Sequence, residues 1–211
     1  MDFVKLSNGI NMPAIMLGSF QMKTQSEMDS VVKAAVANGA FGFDTSPSYQ
    51  TEQLLAKSIQ DIVDQDPKLS RQDFFLGSKI DSWQMIAKKG DVRPFISEVL
   101  ERTGLEYWDL LLIHWPQPEN FVATWKFLEK AYEEGMVKSI GVCNCQVRHF
   151  RQLENGGANL KPMVAQNEIH PMNLEQELVD YCNDNEIVVQ AYSPLCRMLP
   201  MIRNNALLNI L

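Results

Sequence analysis

Histidine and cysteine are scarce in this 211-residue sequence, three of the first and four of the second. Neither falls in a pattern that binds a metal or closes a covalent framework. Cys143, Cys145, Cys182 and Cys196 form no CxxC pair and have no histidine at zinc-ligand spacing. Reduced, buried cysteines that act as packing residues are expected, with no metal site. Positive charge is also in short supply. Lys and Arg number 19 against 26 Asp and Glu, a net charge of −7 without long runs of one sign. That balance excludes an extended nucleic-acid partner and leaves room only for a local anion pocket. No stretch approaches the roughly 20 apolar residues that cross a bilayer, and Met1-Asp2-Phe3-Val4-Lys5 does not begin a leader. A cytoplasmic protein with no membrane partner is the expectation.

What is present is a hydrophobic content of 45%, enough to bury a substantial core, and a length that suits one domain over residues 1–211. Short apolar runs alternate with amphipathic stretches, the pattern of βα units around a parallel sheet. Residues 4–6 and 11–13 flank Ser7-Asn8-Gly9, whose Asn-Gly step predicts a hairpin ahead of the first unit. Buried strands are predicted at 15–18, 41–44, 74–80, 110–114, 139–143, 163–168 and 187–192. Thr24-Gln25-Ser26-Glu27 reads as a capping box, and Met28, Val31, Val32, Ala35 and Val36 form the helical stripe behind it, ended by Gly39. Leu54, Leu55, Ser58, Ile59 and Ile62 line the next helix, and Pro94 opens the third. Later helices are predicted over 121–134, 147–154, 174–185 (behind a second capping box at Asn173-x-x-Gln176) and 206–211.

Seven strands and most of seven helices fall one βα unit short of a closed barrel, which takes about 250 residues. The expected fold is therefore α/β: a (β/α)₈ TIM barrel with an N-terminal β-hairpin, lacking its last βα unit and C-terminal loop. A seven-stranded remainder exposes two sheet edges, so a C-terminally incomplete chain is expected. A doubly wound sheet shares the alternation, but Gly18-Ser19-Phe20-Gln21-Met22-Lys23 stands where its GxGxxG fingerprint belongs.

In a barrel, functional groups collect at the carboxyl ends of the strands. Asp44 ends the second predicted strand, Tyr49 follows in its loop, Lys79 lies near the end of the third, and His114 ends the fourth. Singly, each has a structural reading: a turn-capping Asp, an inward-packed Tyr, a solvated Lys, a half-buried His. Together, on successive strand ends, they make a group able to give a proton to an oxygen that develops negative charge. A tyrosine with a pKa of about 10 is a reluctant acid. A lysine ammonium roughly 4 Å away stabilises the phenolate by at most about 4 kcal/mol at an effective dielectric near 20, while burial works the other way. Asp44 is then needed to keep Lys79 charged, and His114 can hydrogen-bond a substrate oxygen. His149 and His170 read as structural, and Lys88-Lys89 as solvated loop charge.

The residues also resemble a known family, the aldo-keto reductases. The resemblance rests on Met16-Leu17-Gly18-Ser19-Phe20, the run from Phe43 through Asp44 and Tyr49 to Glu52, Ser78-Lys79, Leu112-Ile113-His114-Trp115-Pro116, Gly141-Val142-Cys143-Asn144, Gln166-Asn167-Glu168-Ile169-His170-Pro171 and Ala191-Tyr192-Ser193-Pro194-Leu195, in family order. It implies reduction of a small-molecule aldehyde or ketone by NADPH, by a monomer, with Tyr49 as general acid and Lys79, Asp44 and His114 around it. It further implies that Asn144 and Gln166 bind the nicotinamide amide, Tyr192 stacks on the ring, and the backbone at Ser193 and Leu195 approaches the pyrophosphate. Gly18, Ser19, Asp44 and Cys143 complete that cofactor set, and Phe20, Trp115 and His114 line the substrate side, with Trp83 shared between pocket and core. The chain departs from the family pattern at Cys143, where serine is usual, at Cys196, where glycine is common, at Phe20, where tryptophan is frequent, and at Gln50-Thr51, which replaces Gly-Asn. The basic residues that bind an adenosine 2′-phosphate follow strand eight in the family, so cofactor choice rests on the resemblance. The family also includes auxiliary channel subunits; a cofactor-binding regulatory barrel and an inactive fragment are the alternative readings.

Overall fold

The computed structural model describes residues 2–196. A two-stranded hairpin, β1 (Phe3–Lys5) and β2 (Asn11–Pro13), comes first, paired from Phe3↔Pro13 to Lys5↔Asn11. Its turn is held by the Leu6 N–H on Ile10 O and by Gly9 at φ +89°, a conformation that suits glycine. The expected first strand, 4–6, is displaced by one residue because Leu6 closes the turn. Asn8 does more than turn the chain: its Nδ2 donates to Lys138 O at 2.9 Å, fastening the hairpin near the start of a distant strand.

The main sheet contains β3 (Leu17–Gly18), β4 (Gly42–Asp44), β5 (Phe75–Ile80), β6 (Leu110–Ile113), β7 (Ile140–Cys143), β8 (Val164–Glu168) and β9 (Val188–Tyr192). All neighbours are parallel, and the spatial order is the chain order, β3-β4-β5-β6-β7-β8-β9. A doubly wound sheet reverses its strand order at a switch point. This sheet never does, which excludes that alternative and leaves the barrel. Each predicted strand is found within two residues at its N-terminal end.

Helices α1 (Gln25–Ala37), α2 (Glu52–Gln65), α3 (Ser82–Ala87), α4 (Arg93–Thr103), α5 (Phe121–Glu133), α6 (Val147–Asn155) and α7 (Gln176–Asp184) make the crossovers. Among the described residues no helix is long and apolar enough to cross a membrane. Thr24 and Glu27 form the expected capping box, and Pro94 sits in the first turn of α4. The second capping box is a correction. Asn173 exchanges backbone hydrogen bonds with His170 and donates its Nδ2 to Glu168 O at 2.7 Å, so it ties the loop after β8. Helix α7 therefore starts at Gln176, behind Glu175 at φ +46°. The short α3 was not expected at all; six residues are too few for a periodic apolar pattern to register. The predicted helix at 206–211 lies outside the described residues.

The inner strands β5, β6 and β7 are buried throughout, as crossover helices require, whereas β3 and β9 at the two ends of the sheet are only partly covered. Phe43, Leu76, Leu110, Leu112, Val142 and Val164 belong to one core with Met28, Val32, Leu55, Ile59, Trp125 and Leu128 from the helices. The closest approach falls at Gly141 in β7, where an added Cβ would lie 2.3 Å from Val164 O and 2.7 Å from Leu112 Cδ2. Gly141→Ala should therefore lower stability by about 1–3 kcal/mol, the usual cost of overpacking. A urea midpoint equal to that of the parent chain would show that β7 and β8 are not this tightly apposed.

Candidate active site

Parallel strands in register present their carboxyl ends at one mouth of the sheet. Asp44 ends β4, opposite Gly77 of β5; two residues along β5, Lys79 pairs with Leu112 of β6; Cys143 of β7 pairs with Gln166 of β8, and Gln166 with Gln190 of β9. The loop after β4 makes a 3-10 turn over Pro47–Tyr49, which swings Tyr49 back over the mouth.

Lys79 is only 1% exposed. Its Nζ donates to Asp44 Oδ1 at 2.5 Å and to Thr45 O at 3.1 Å, and lies 4.9 Å from the centre of the Tyr49 ring. Burial works against the ammonium, but the Asp44 carboxylate and its neighbours more than offset this, so the Lys79 pKa is raised. The second Asp44 oxygen accepts from Gln166 Nε2 at 3.0 Å, which also reaches Gln190 Oε1 at 2.9 Å. A buried polar chain thus runs from Lys79 through Asp44 to Gln166 and Gln190. Gln190 has no part in the sequence reading, although an amide amid Val188, Val189 and Ala191 is a visible signal.

Tyr49 behaves differently from the simplest expectation of a lysine beside a phenol. Burial raises its pKa, Lys79 lowers it, Asp44 raises it again, and the balance stays above the ordinary 10.0. Lysine therefore does not produce a resting phenolate. Burial also pushes the Cys143 thiol up to about 12 despite nearby Lys79, so no thiolate competes for the same charge.

His114 follows β6 and is nearly buried. Its Nδ1 lies 2.5 Å from Asp81 Oδ1 and 3.3 Å from Ser46 Oγ, and its ring meets Tyr49 edge-on at 5.8 Å. Asp81 was missed by sequence reasoning, yet it carries nearly the same signal as Asp44, an acid at the carboxyl end of an apolar strand. Asn144, at φ +56°, donates Nδ2 to His114 O at 2.9 Å and accepts the Tyr192 hydroxyl at 2.8 Å. Ser19 is buried, with Oγ 2.7 Å from Thr51 Oγ1, which in turn lies 2.7 Å from Thr45 Oγ1. Gly18 is exposed at the end of β3. Ser193, at φ +49°, and the exposed Leu195 follow β9.

Phe20 and Trp115 are 54% and 53% exposed at the mouth, and the Phe20 ring lies 5.0 Å from that of Tyr49. Trp83 joins neither group. It is exposed and packs edge-on against Phe95 at 5.3 Å, in a separate groove with Pro47 and Arg102. A cleft of about 670 Å³ opens beside the mouth, walled by Trp115, Asn144, Asn167, Glu168 and Tyr192. Asn167 Nδ2 binds Cys145 O, whereas its buried Oδ1 has no hydrogen-bond partner among the described residues. The remaining histidines are structural: His149 Nδ1 accepts the Gln146 N–H at the start of α6, and His170 Nδ1 accepts that of Met172.

The chain is similar to known proteins in sequence and in fold. The aldo/keto reductase family model matches residues 9–200. Glyoxal reductase of Bacillus subtilis is 38% identical over 194 residues, covering 92% of this chain and 67% of the relative. Methylglyoxal reductase DkgA of Escherichia coli K12 is 30% identical over 198 residues, covering 92% and 67%. Among solved structures, a Bombyx mori aldo-keto reductase in complex with NADP superposes with a TM-score of 0.81 at 26% identity, covering 91% of this chain and 66% of that one. A Brucella melitensis aldo/keto reductase gives 0.77 at 31% identity, covering 92% and 73%. The chain spans about two thirds of the length of the curated relatives it matches.

Two outcomes follow from the loop that carries Tyr49. In an ultraviolet titration, subtracting the Tyr49→Phe variant from the parent should isolate one phenol that ionises above 10.0; ionisation at or below that value would contradict the burial argument. Gln50, exposed at φ +58°, occupies the left-handed region at a cost of roughly 1–2 kcal/mol, against about 0.5–1 kcal/mol of entropy for a glycine. Gln50→Gly should raise stability by on the order of 0.5–1 kcal/mol by denaturant unfolding, and a loss of stability would show that the turn is held otherwise.

Proposed function

The chain belongs to the aldo/keto reductase family, and from that premise we propose that it reduces the carbonyl of small aldehydes or ketones to an alcohol with NADPH. The observation that carries the reading is the buried Lys79–Asp44 pair beside a protonated Tyr49. The names of the glyoxal and methylglyoxal reductases among its relatives favour small, reactive carbonyl substrates. Residues 1–211 are read as one barrel domain, acting in the cytoplasm as a monomer.

NADPH, when bound, would supply a hydride for the carbonyl carbon. Tyr49 gives its hydroxyl proton to the carbonyl oxygen. A raised pKa keeps that proton in place at neutral pH, and the Lys79 ammonium stabilises the phenolate as it forms. Asp44 holds Lys79 charged and aimed. His114 binds the substrate oxygen, while Phe20 and Trp115 provide an apolar wall that excludes water.

The strand ends fit a nicotinamide. Asn167 Oδ1 is a buried acceptor without a partner, the complement of a carboxamide N–H, and it lines the same cleft as Asn144 and Tyr192. Asn144, Gln166 and Tyr192 would hold the nicotinamide end, with Gly18, Ser19, Asp44 and Cys143 near it. Ser193 and Leu195 would meet the phosphates. The amide nitrogens of Asn144 and Gln166 are already engaged, so their contribution is through the second lone pair of each amide oxygen, the first accepting from Tyr192 and Cys143.

The test is NADPH consumption by the purified chain with a panel of small aldehydes, dicarbonyls and ketones. Tyr49→Phe should lower kcat by on the order of 10²–10⁴-fold, the range of a general acid. Turnover equal to the parent would remove Tyr49 as the proton donor.

A further inference from the structure

Asp81 has no part in the mechanism above, yet it joins the two segments that carry Tyr49 and His114. It is 6% exposed, directly after β5. Its Oδ2 accepts the backbone N–H of Ser48 at 2.8 Å, one residue before Tyr49, while Oδ1 lies 2.5 Å from His114 Nδ1. Its own N–H donates to Gln84 Oε1 at 2.8 Å at the start of α3, so the carboxylate is fixed from behind.

Among the described residues, the groups that face the imidazole are few. Ser46 and Tyr49 approach from the loop after β4, Asp81 from the end of β5, and Trp115 stacks from the adjoining residue. From the segment after β7, Asn144 binds the backbone carbonyl of His114. Lys79 is turned to Asp44. Burial works to raise the Asp81 pKa, but the hydrogen bonds from His114 and Ser48 outweigh it and leave it lowered. Asp81 is thus a carboxylate at neutral pH, with acceptors and no donor.

A carboxylate at this distance requires that Nδ1 carry the hydrogen. A neutral imidazole has one N–H, so Nε2 is then a lone pair that can only accept. We propose that Asp81 is a positioning residue that holds His114 in the Nδ1–H form, so that His114 donates to a substrate oxygen only as the imidazolium. The consequence for turnover rests on the carbonyl-reductase reading; the tautomer does not. In reduction the hydride goes to carbon and the Tyr49 proton to oxygen, while the imidazolium keeps its proton and only donates a hydrogen bond. The rate then follows the fraction of His114 that is doubly protonated. Loss of that single proton lowers kcat/KM about tenfold per pH unit on the alkaline side of the profile.

Asp81→Asn keeps the shape and an acceptor for Ser48, but its amide can donate to Nδ1 and free His114 to carry hydrogen on Nε2. The experiment is ¹⁵N NMR of the histidine side chains in the full chain, with His114 assigned by its loss in His114→Gln, alongside the pH profile of kcat/KM. Parent protein should show neutral His114 protonated at Nδ1, and Asp81→Asn should shift it towards Nε2 and flatten the alkaline fall of kcat/KM. Neutral parent His114 protonated at Nε2 overturns the proposal, and this reading does not depend on Asp81→Asn folding. So does an Asp81→Asn profile lowered by one factor at every pH, which marks a merely structural carboxylate. A chain that shows the Nδ1–H tautomer but turns over no carbonyl would sink the reductase reading and leave the assignment of Asp81 to His114 standing.

Discussion

The contact on which the site depends is the ion pair of Lys79 and Asp44 in the barrel mouth. An ammonium that is almost fully removed from water is unfavourable by several kcal/mol, and its partner's charge offsets that only when geometry is tight and the remaining hydrogen-bonding capacity is used. Both conditions are met. Asp44 gives one oxygen to Lys79 and the other to Gln166, and Thr45 O takes a second lysine hydrogen. Gln166 can serve Asp44 because Gln190 accepts from the same amide nitrogen. The pair therefore recruits polar residues from β4, β5, β8 and β9 into a barrel interior otherwise filled by apolar side chains, and it sets the field in which Tyr49 sits.

Most of the architecture was readable from the residues because parallel strands covered on both faces are continuous apolar runs, and such runs stand out. The strand ends at Asp44, Lys79 and His114 were readable for the same reason, as polar residues that terminate or interrupt those runs. What was missed had weaker local signals or needed tertiary information. Helix α3 is too short to show a period. Asn173 has capping chemistry, yet its backbone and amide go to the loop after β8, a competition that no local window shows. The Tyr49 pKa turned on how burial and two opposite charges balance, which requires distances. Asp81 was visible as a strand-end acid, but its partner lies 33 residues away across the β5–β6 neighbourhood.

Positions that depart from the family pattern are absorbed in different ways. Thr51 sits at the start of α2 without capping it and spends its hydroxyl on Ser19 and Thr45, which fixes the two loops nearest Asp44. Cys143 is a protonated thiol whose Sγ accepts from Asn144 Nδ2 at 3.2 Å, a softer contact than a hydroxyl would make. Gln50 and Cys196 keep the left-handed backbone, at φ +58° and +50°, that glycine adopts freely. The local cost of that conformation falls on a tightly anchored turn in one case and a buried cysteine in the other.

Asp44 and Asp81 show how one topological position gives two functions. Both are acids at the ends of adjacent parallel strands, where the regular step of β4 against β5 brings each within reach of a residue on the next strand. Asp44 meets a lysine, and the result is a permanent charge pair that a neighbouring phenol can draw on. Asp81 meets a histidine, and the result is a buried hydrogen bond between a carboxylate and an imidazole. Tyr49 stands between them, its ring edge-on to His114 and its face near Lys79. The proposed proton donor thus stands with a fixed cation on one side and an imidazole on the other. The register of the sheet brings the two strand ends side by side, and the turn after β4 sets Tyr49 between their acids.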